Sequence, residues 1–188
     1  MKKIVLASGN KHKIKEISDM LSGYEVIGYK DMGLDFEIEE NGNSFYENAL
    51  IKAKAVSDAL DLPALADDSG ICVDVLGGAP GIYSARYAGD GIDESNNKLL
   101  LKNLEGEKNR KAKFVCTMVL YNPNGEIITA TGETLGEILY APEGENGFGY
   151  DPIFYSYDLQ KSLGVASSED KNKISHRFRA LQALKEKL

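Results

Sequence analysis

The sequence predicts an α/β protein built on a mixed sheet, and three stretches carry that prediction. Residues 2–8 read KKIVLAS, a short apolar strand, and pass through Gly9-Asn10 into an amphipathic helix. Ser44-Phe-Tyr-Glu47 has the chemistry of a capping box and opens a second helix just ahead of another strand-like segment. Residues 114–121 and 127–131 flank Asn122-Pro-Asn-Gly125, the signature of a hairpin. A hairpin requires antiparallel pairing, so a sheet that also holds strand–turn–helix units is mixed.

Taken in order, residues 11–21 place Ile14, Ile17, Met20 and Leu21 on one helical stripe. The preceding Ser8-Gly9-Asn10 backbone then lies at a helix N-terminus, where amides favour an anion, and Lys11 and Lys13 add positive charge. The spacing is not that of a Walker loop, and a plain connecting turn fits the same residues. Residues 24–29 read as a second short strand, and the polar segment after it ends in Glu37, Glu39 and Glu40. The helix from Ser44 to about Leu60 carries Phe45, Ala49, Ala53, Val56 and Leu60 along one face. Lys52 lies on or beside that stripe, so its ammonium either snorkels outward or meets an anion. Asp93 is placed to cap a helix bearing Leu99, Leu100, Leu101 and Leu104, and residues 105–113 form a charged connection. Residues 143–151 (EGENGFGYD) are a glycine-rich loop that offers Phe148 and Tyr150 as aromatic platforms, for a base or for ordinary packing. A helix start surrounds Ser168–Lys171, and a last helix from about Ser175 turns Phe178, Leu181 and Leu184 inward, with His176 and Arg177 in its first turn.

At 188 residues the chain is most simply one domain, long enough to bury about 70% of its unfolded surface. Its 43% apolar and 27% charged content is ordinary for a globular protein. No apolar run is long enough for a bilayer, and the charges that follow the N-terminal strand break any signal-like core, so a cytoplasmic protein is expected. The net charge of -7 argues against a nucleic-acid or anionic-membrane partner. A polyanionic ligand would need local lysines and a divalent cation. Cys72 and Cys116 sit in strand-like segments and read as buried free thiols.

The stretch 62–86 (LPALADDSGICVDVLGGAPGIYSAR) carries the densest chemistry. An apolar approach meets Asp67 and Asp68, then Ser69-Gly70, and Ile71, Val73 and Val75 alternate with Cys72 and Asp74 as in a half-buried strand. This places the two acids at a turn between two strands, where they would suit metal binding or water activation, although a solvated turn has the same composition. With Glu39 and Glu40, Lys52, the Ser8–Lys13 turn, the aromatic loop and a late His-Arg, the set is what cleavage of a nucleoside triphosphate needs: carboxylates for Mg²⁺, a carboxylate for water and lysines for phosphate.

Five segments, SGNKHK (8–13), SFYENALIKAKA (44–55), LPALADDSGICVDVLGGAPGIYSARYAG (62–89), GFGYDPIF (147–154) and SHRFRAL (175–181), resemble the inosine/xanthosine triphosphate pyrophosphatase family, in its order and spacing and across essentially the whole chain. FGYD follows the bacterial form of the aromatic loop. The resemblance implies a long, twisted, mixed sheet flanked by helices, forming two lobes with an active-site cleft between them in a single domain. It also implies a homodimer, a Mg²⁺ requirement, and hydrolysis of non-standard purine triphosphates (ITP, dITP, XTP) to the monophosphate and pyrophosphate. Carried over by position, Asp68 is the proton acceptor and a metal ligand, with Glu39 or Glu40 as the second acidic ligand and Asp67 in support. Ser8, Gly9, Asn10, Lys11, His12, Lys13, Lys52 and Ser69 would hold the triphosphate. Phe148, Gly149, Tyr150, Asp151, Lys171, His176 and Arg177 would form the base pocket, with Arg177 and backbone amides as donors to a 6-keto oxygen. A pyrophosphatase for pyrimidine or modified nucleotides and a non-hydrolysing nucleotide-binding module are the competing readings.

Overall fold

A computed structural model describes residues 2–21 and 23–188 of the chain. Seven strands make one sheet in the order β2-β1-β3-β4-β5-β6-β7, with β1 Lys2–Leu6, β2 Tyr24–Gly28, β3 Ala64–Val73, β4 Lys111–Tyr121, β5 Ile127–Ile138, β6 Phe154–Ser156 and β7 Lys161–Ser162. The sheet is mixed: β1 pairs in parallel with β2 and β3, while β6 pairs antiparallel with β5 and β7. The helices are α1 Lys11–Met20, α2 Phe45–Leu60, α3 Asp93–Asn103, α4 Ser168–Ile174 and α5 His176–Lys185.

The chain divides into two compact units. The first comprises the chain up to Asp68, Cys116–Gly132 and Arg177–Leu188. Alternation along its strands sends side chains to two faces. Leu6, Leu65, Cys116 and Met118 meet Ile17 and Leu21 of α1 and Ala180, Leu181 and Leu184 of α5. Val5, Ala7, Ala64, Ala66 and Val119 meet Ala49, Ala53 and Val56 of α2. Small residues on this second face bring α2 close to the sheet, which is what lets a side chain on its inner stripe reach β3.

The second unit comprises Ser69–Val115 and Glu133–His176. Its core gathers Ile71, Val73, Leu100, Leu104, Phe114, Ile138, Tyr150, Ile153, Phe154 and Leu163. Phe114 packs on Phe154 with ring centroids 4.6 Å apart and stacks on His176 at 4.9 Å. The Arg110 guanidinium donates to the carbonyls of Leu104, Ile138 and Leu139, which pairs the cap carbonyl of α3 and ties it to the end of β5.

Several expected boundaries shift. Asp67 and Asp68 lie inside the ten-residue strand β3 rather than at a turn, and Asp74–Leu76 is a 3-10 turn rather than strand. Ser69-Gly70 reads as turn chemistry locally, but both residues lie within β3, between β1 and β4 in the sheet. Asp93 is the first residue of α3 and not its cap, a place taken by Ile92 without a side-chain bond. The capping box at Ser44 is half formed: Ser44 Oγ accepts from the Glu47 amide at 3.1 Å, while the Glu47 carboxylate accepts from Asn43 instead of Ser44.

Candidate active site

Because successive side chains on a strand point to opposite faces, Asp67 and Asp68 have separate environments. Asp67 is fully buried on the α1/α5 side. Its Oδ2 receives Lys13 Nζ at 3.1 Å and Arg177 Nη2 at 3.2 Å, and Cys116 Sγ lies 3.9 Å away. Arg177 also pairs with Glu16 of α1. Burial alone would raise the Asp67 pKa, but Lys13, Arg177 and Lys52 outweigh it and hold the carboxyl well below the usual range. Burial likewise opposes the Arg177 charge and is overcome by Asp67 and Glu16, so the guanidinium is held protonated. The second oxygen, Oδ1, is enclosed with no hydrogen-bond partner among the described residues.

Asp68 faces α2. Asn48 Nδ2 donates to its Oδ2 at 3.2 Å, and Lys52 Nζ stands 3.6 Å from its Oδ1. Asn48 and Lys52 are one helical turn apart, so each oxygen of Asp68 meets its own side chain from the same helix face. Both residues also reach the loop before α2: Lys52 pairs with Glu40 at 2.9 Å, and the Gly42 amide donates to Asn48 Oδ1 at 2.9 Å. A Cβ at Gly42 would sit 2.7 Å from Asn48 Oδ1, so only glycine permits that approach. Burial raises the Asp68 pKa, and Lys52 and Lys13 only partly offset it. Burial lowers that of Lys52, but Asp67, Asp68 and Glu40 reverse the sign and keep its ammonium charged. Of the acidic pair left open in the sequence, Glu40 is the one on Lys52, and Glu39 is exposed.

Among the described residues no group of three or more His, Cys, Asp or Glu is arranged to hold a metal. Glu40 and Asp68 nevertheless converge on one ammonium, two carboxylates to a single positive charge. Mg²⁺ commonly takes one or two carboxylates and completes its shell with water and substrate phosphate, so this donor set fits it.

At the start of α1, Asn10 Oδ1 accepts from the His12 and Lys13 amides at 3.0 and 3.2 Å, and the Asn10 amide donates to Ser8 Oγ at 3.2 Å. Lys13 turns to Asp67, whereas Gly9, Lys11 and His12 are exposed. Ser69 follows Asp68 on β3 and is half-buried.

The second unit brings Phe148, Gly149, Asp151 and Lys171 together. Asp151 and Lys171 form a buried ion pair at 2.6 Å. The Phe148 amide donates to Asp151 Oδ2 at 2.9 Å, and Lys171 Nζ lies 4.6 Å from the Phe148 ring centroid. At Gly147, with φ +75°, a Cβ would meet Asp151 Oδ2 at 2.1 Å, so the loop's wrap around that carboxylate requires glycine. Tyr150 is core, its hydroxyl donating to Ser84 O at 2.6 Å, and burial raises its pKa. Phe148 is half-buried. The Phe148 amide donates within the loop and the Gly149 amide donates to Asp93. Arg177 belongs to the first unit, where it pairs with Asp67 and Glu16.

Sequence reasoning missed Glu16, Asn48, Asp93 as a loop ligand, and Asn97. Asn48 carried a signal, since it shares the face of Lys52 at i−4. Glu16 lies three residues after Lys13 on the same helix, but the identity of its partner 161 residues away had no local trace.

The model of the Ham1 family matches residues 4–187, which contain all five segments of the resemblance. The chain is 45% identical to the dITP/XTP pyrophosphatase of Clostridium perfringens, covering 100% of this chain and 98% of that protein. It is 49% identical to the protein of the same name from Lactiplantibacillus plantarum, over 96% and 92% of the two chains. Among solved structures, the Staphylococcus aureus Ham1 protein matches with a TM-score of 0.89 at 45% identity, covering 98% of this chain and 97% of that one. A nucleoside-triphosphatase, or dITP/XTP pyrophosphatase, from Mycobacterium abscessus matches with a TM-score of 0.79 at 42% identity, over 97% and 98%. Family match, full-length identity and shared fold agree: the chain belongs to the Ham1 family.

Proposed function

We propose that this protein hydrolyses dITP, ITP and XTP to the monophosphate and pyrophosphate, removing aberrant purine triphosphates from the cytoplasmic pool, and that it does so as a homodimer of single-domain chains. The observation that carries the reading is the Asp68 carboxylate, held between Asn48 and Lys52 beside Glu40, in a chain whose full-length relatives are named dITP/XTP pyrophosphatases. Glu40 and Asp68 would hold Mg²⁺, which supplies charge neutralisation on the phosphates and lowers the pKa of bound water. Asp68 takes the proton of the attacking water. Its raised pKa, caused by burial, makes it a better acceptor than an exposed aspartate, and Lys52 and Lys13 favour its charged form against that burial. Lys52 and the Ser8–Lys13 turn stabilise charge that grows on the departing pyrophosphate. Phe148 stacks on the base, and Lys171, His176 and Arg177 are the candidate readers of its keto edge. Adenine presents an amino group at the 6-position, and donors aimed at a keto oxygen are then left unpaired.

Pyrophosphate release from dITP, ITP, XTP, dGTP, dTTP and UTP, with and without Mg²⁺, tests the reading. Mg²⁺-dependent release that favours dITP, ITP and XTP is expected. Preference for dTTP or UTP would replace the purine assignment, and tight nucleotide binding with no release would make the protein a binding module.

A further inference from the structure

Gly149 sits in the aromatic loop with φ +61° and with open space where a Cβ would point, so its own conformation does little to fix the loop. What fixes it is α3. The Gly149 amide donates to Asp93 Oδ2 at 2.8 Å, and Asn97 Nδ2 donates to the Gly149 carbonyl at 3.1 Å. Asp93 and Asn97 are four residues apart on α3 and therefore stack on one side of it. Together with the Phe148 amide on Asp151, these bonds hold the peptide planes on both sides of Phe148 and the plane after Gly149. The Phe148 ring thus hangs from a backbone whose orientation is set by a helix more than fifty residues away in sequence.

The helix is a firm base for this. Leu100 and Leu104 anchor it in the core, and Asn96 bridges it to the Ala85 carbonyl and the Ala88 amide at 3.2 and 2.7 Å. The loop does not need the two side chains to stay folded, because Tyr150 and Ile153 already pin its far end in the core. Asp93 is exposed, where a hydrogen bond adds little to global stability. Two polar side chains from successive turns are spent on both backbone groups of one glycine, in a loop that is otherwise anchored. That expenditure is explained by a demand for precise placement of Phe148.

We propose that Asp93 and Asn97 are positioning residues for base selection: by gripping Gly149 they hold the Phe148 ring at the angle that a hypoxanthine or xanthine base requires. The inference rests on the reading above, in which residues 148–151 face the purine. Small displacements of a positioning group reach about 100-fold in rate, so release of one grip is expected to lower kcat/KM for dITP about 10-fold, mainly through KM. The dITP-to-dGTP ratio falls with it, because a ring free to tilt discriminates less between hypoxanthine and guanine.

The test compares wild type with Asp93→Ala, Asp93→Asn and Asn97→Ala, using kcat/KM for dITP and dGTP, hydrolysis of base-free ribose 5-triphosphate, IMP binding by calorimetry, and the thermal midpoint. Support is a selectivity ratio lowered about 10-fold in both alanine variants, retained in Asp93→Asn, which keeps an acceptor for the Gly149 amide, with base-free hydrolysis unchanged. An unchanged ratio, or an equal loss on the base-free substrate, overturns the proposal and leaves a structural role only. Should Asn97→Ala fail to fold, the two variants at exposed Asp93 decide the question by the same criteria. A wild-type protein that neither cleaves dITP nor binds IMP would remove the functional reading, and this inference with it. An active wild type with indifferent variants removes this inference alone.

Discussion

Asp67 and Asp68 are neighbours in the chain and occupy opposite faces of β3, so that Oδ2 of Asp67 meets Lys13 and Arg177 while the two oxygens of Asp68 meet Lys52 and Asn48. One carboxylate is neutralised by two cations within a buried set. The other shares a single ammonium with Glu40. The same residue type therefore has two electrostatic fates, decided by the pleat of a strand.

Substitution at the two positions should separate stability from catalysis. Asp67→Asn removes the anion that balances buried Arg177 and half-buried Lys13 and should cost about 3 kcal/mol, or roughly 6–12 °C in Tm for a chain of this size. Asp68→Asn relieves a carboxylate that burial already disfavours, so Tm should hold or rise, while turnover on dITP should fall about 100- to 10,000-fold. Thermal denaturation beside pyrophosphate release checks both. A variant pair with the two effects exchanged would reverse the assignments.

The signs of the two pKa shifts give a pH test. A carboxyl whose folded pKa is depressed stabilises the fold above its unfolded value, here 3.8, and loses that contribution as pH falls towards the folded pKa. The stability gap between wild type and Asp67→Asn should therefore be constant from neutral pH to about 5 and close progressively below about 4. Asp68 has the opposite sign: its folded pKa is raised above 3.8, so the cost of its charge is absent below 3.8 and develops as pH rises from there towards the folded value. Denaturant unfolding at several pH values measures both; a gap that widened in acid would contradict the Asp67 environment.

Asn48 links the Gly42 amide to Oδ2 of Asp68. Groups that orient a metal ligand from behind typically contribute about 10- to 100-fold in metal affinity or activity. Asn48→Ala should raise the Mg²⁺ concentration for half-maximal turnover by such a factor, and Asn48→Asp should do worse by placing a second carboxylate against Asp68. Gly42→Ala must push aside Asn48 or Glu47 and should cost about 1–3 kcal/mol. A Mg²⁺ titration of each variant, with Tm alongside, gives the answer, and an unchanged Mg²⁺ requirement in Asn48→Ala would reduce Asn48 to packing.

Cys116 is buried against Asp67, and burial followed by that negative charge pushes its thiol up to about 12. At pH 8 its thiolate fraction is then about one in ten thousand. Labelling with a thiol-reactive disulfide should find Cys116 silent in the native protein and reactive after unfolding, with half-buried Cys72 reacting first. Two thiols reacting together under native conditions would refute that order.

Much of the fold was legible because it depends on short-range signals. The strand–turn–helix at the N-terminus, the Ser44 start of α2 and the hairpin at residues 122–125 all formed where periodicity and turn chemistry placed them. The stripe on α2 put Lys52 on or beside the buried face and left open whether it snorkels outward or meets an anion; its pairing with Glu40 and Asp68 decides for the anion. The acid pair was misplaced at a turn because Ser69-Gly70 speaks for a turn locally, whereas ladder partners on β1 and β4 decide for a strand. Asp93 looked like a helix cap and instead serves a glycine 56 residues on. Arg177 finds its partner in an aspartate 110 residues earlier. Each of these depends on pairing over long sequence separation, for which a linear pattern holds no term.

The buried set of Glu16, Lys13, Asp67 and Arg177 also limits how this sequence can drift. Any single replacement among them that alters charge strands an uncompensated ion in the interior, so most one-step paths lose fold stability before they gain anything. Exchange is tolerable only in compensated pairs, such as loss of Asp67 together with loss of the Arg177 charge. Four positions spread over three elements are thereby bound into one heritable unit, and a library that samples them independently will be dominated by unfolded members.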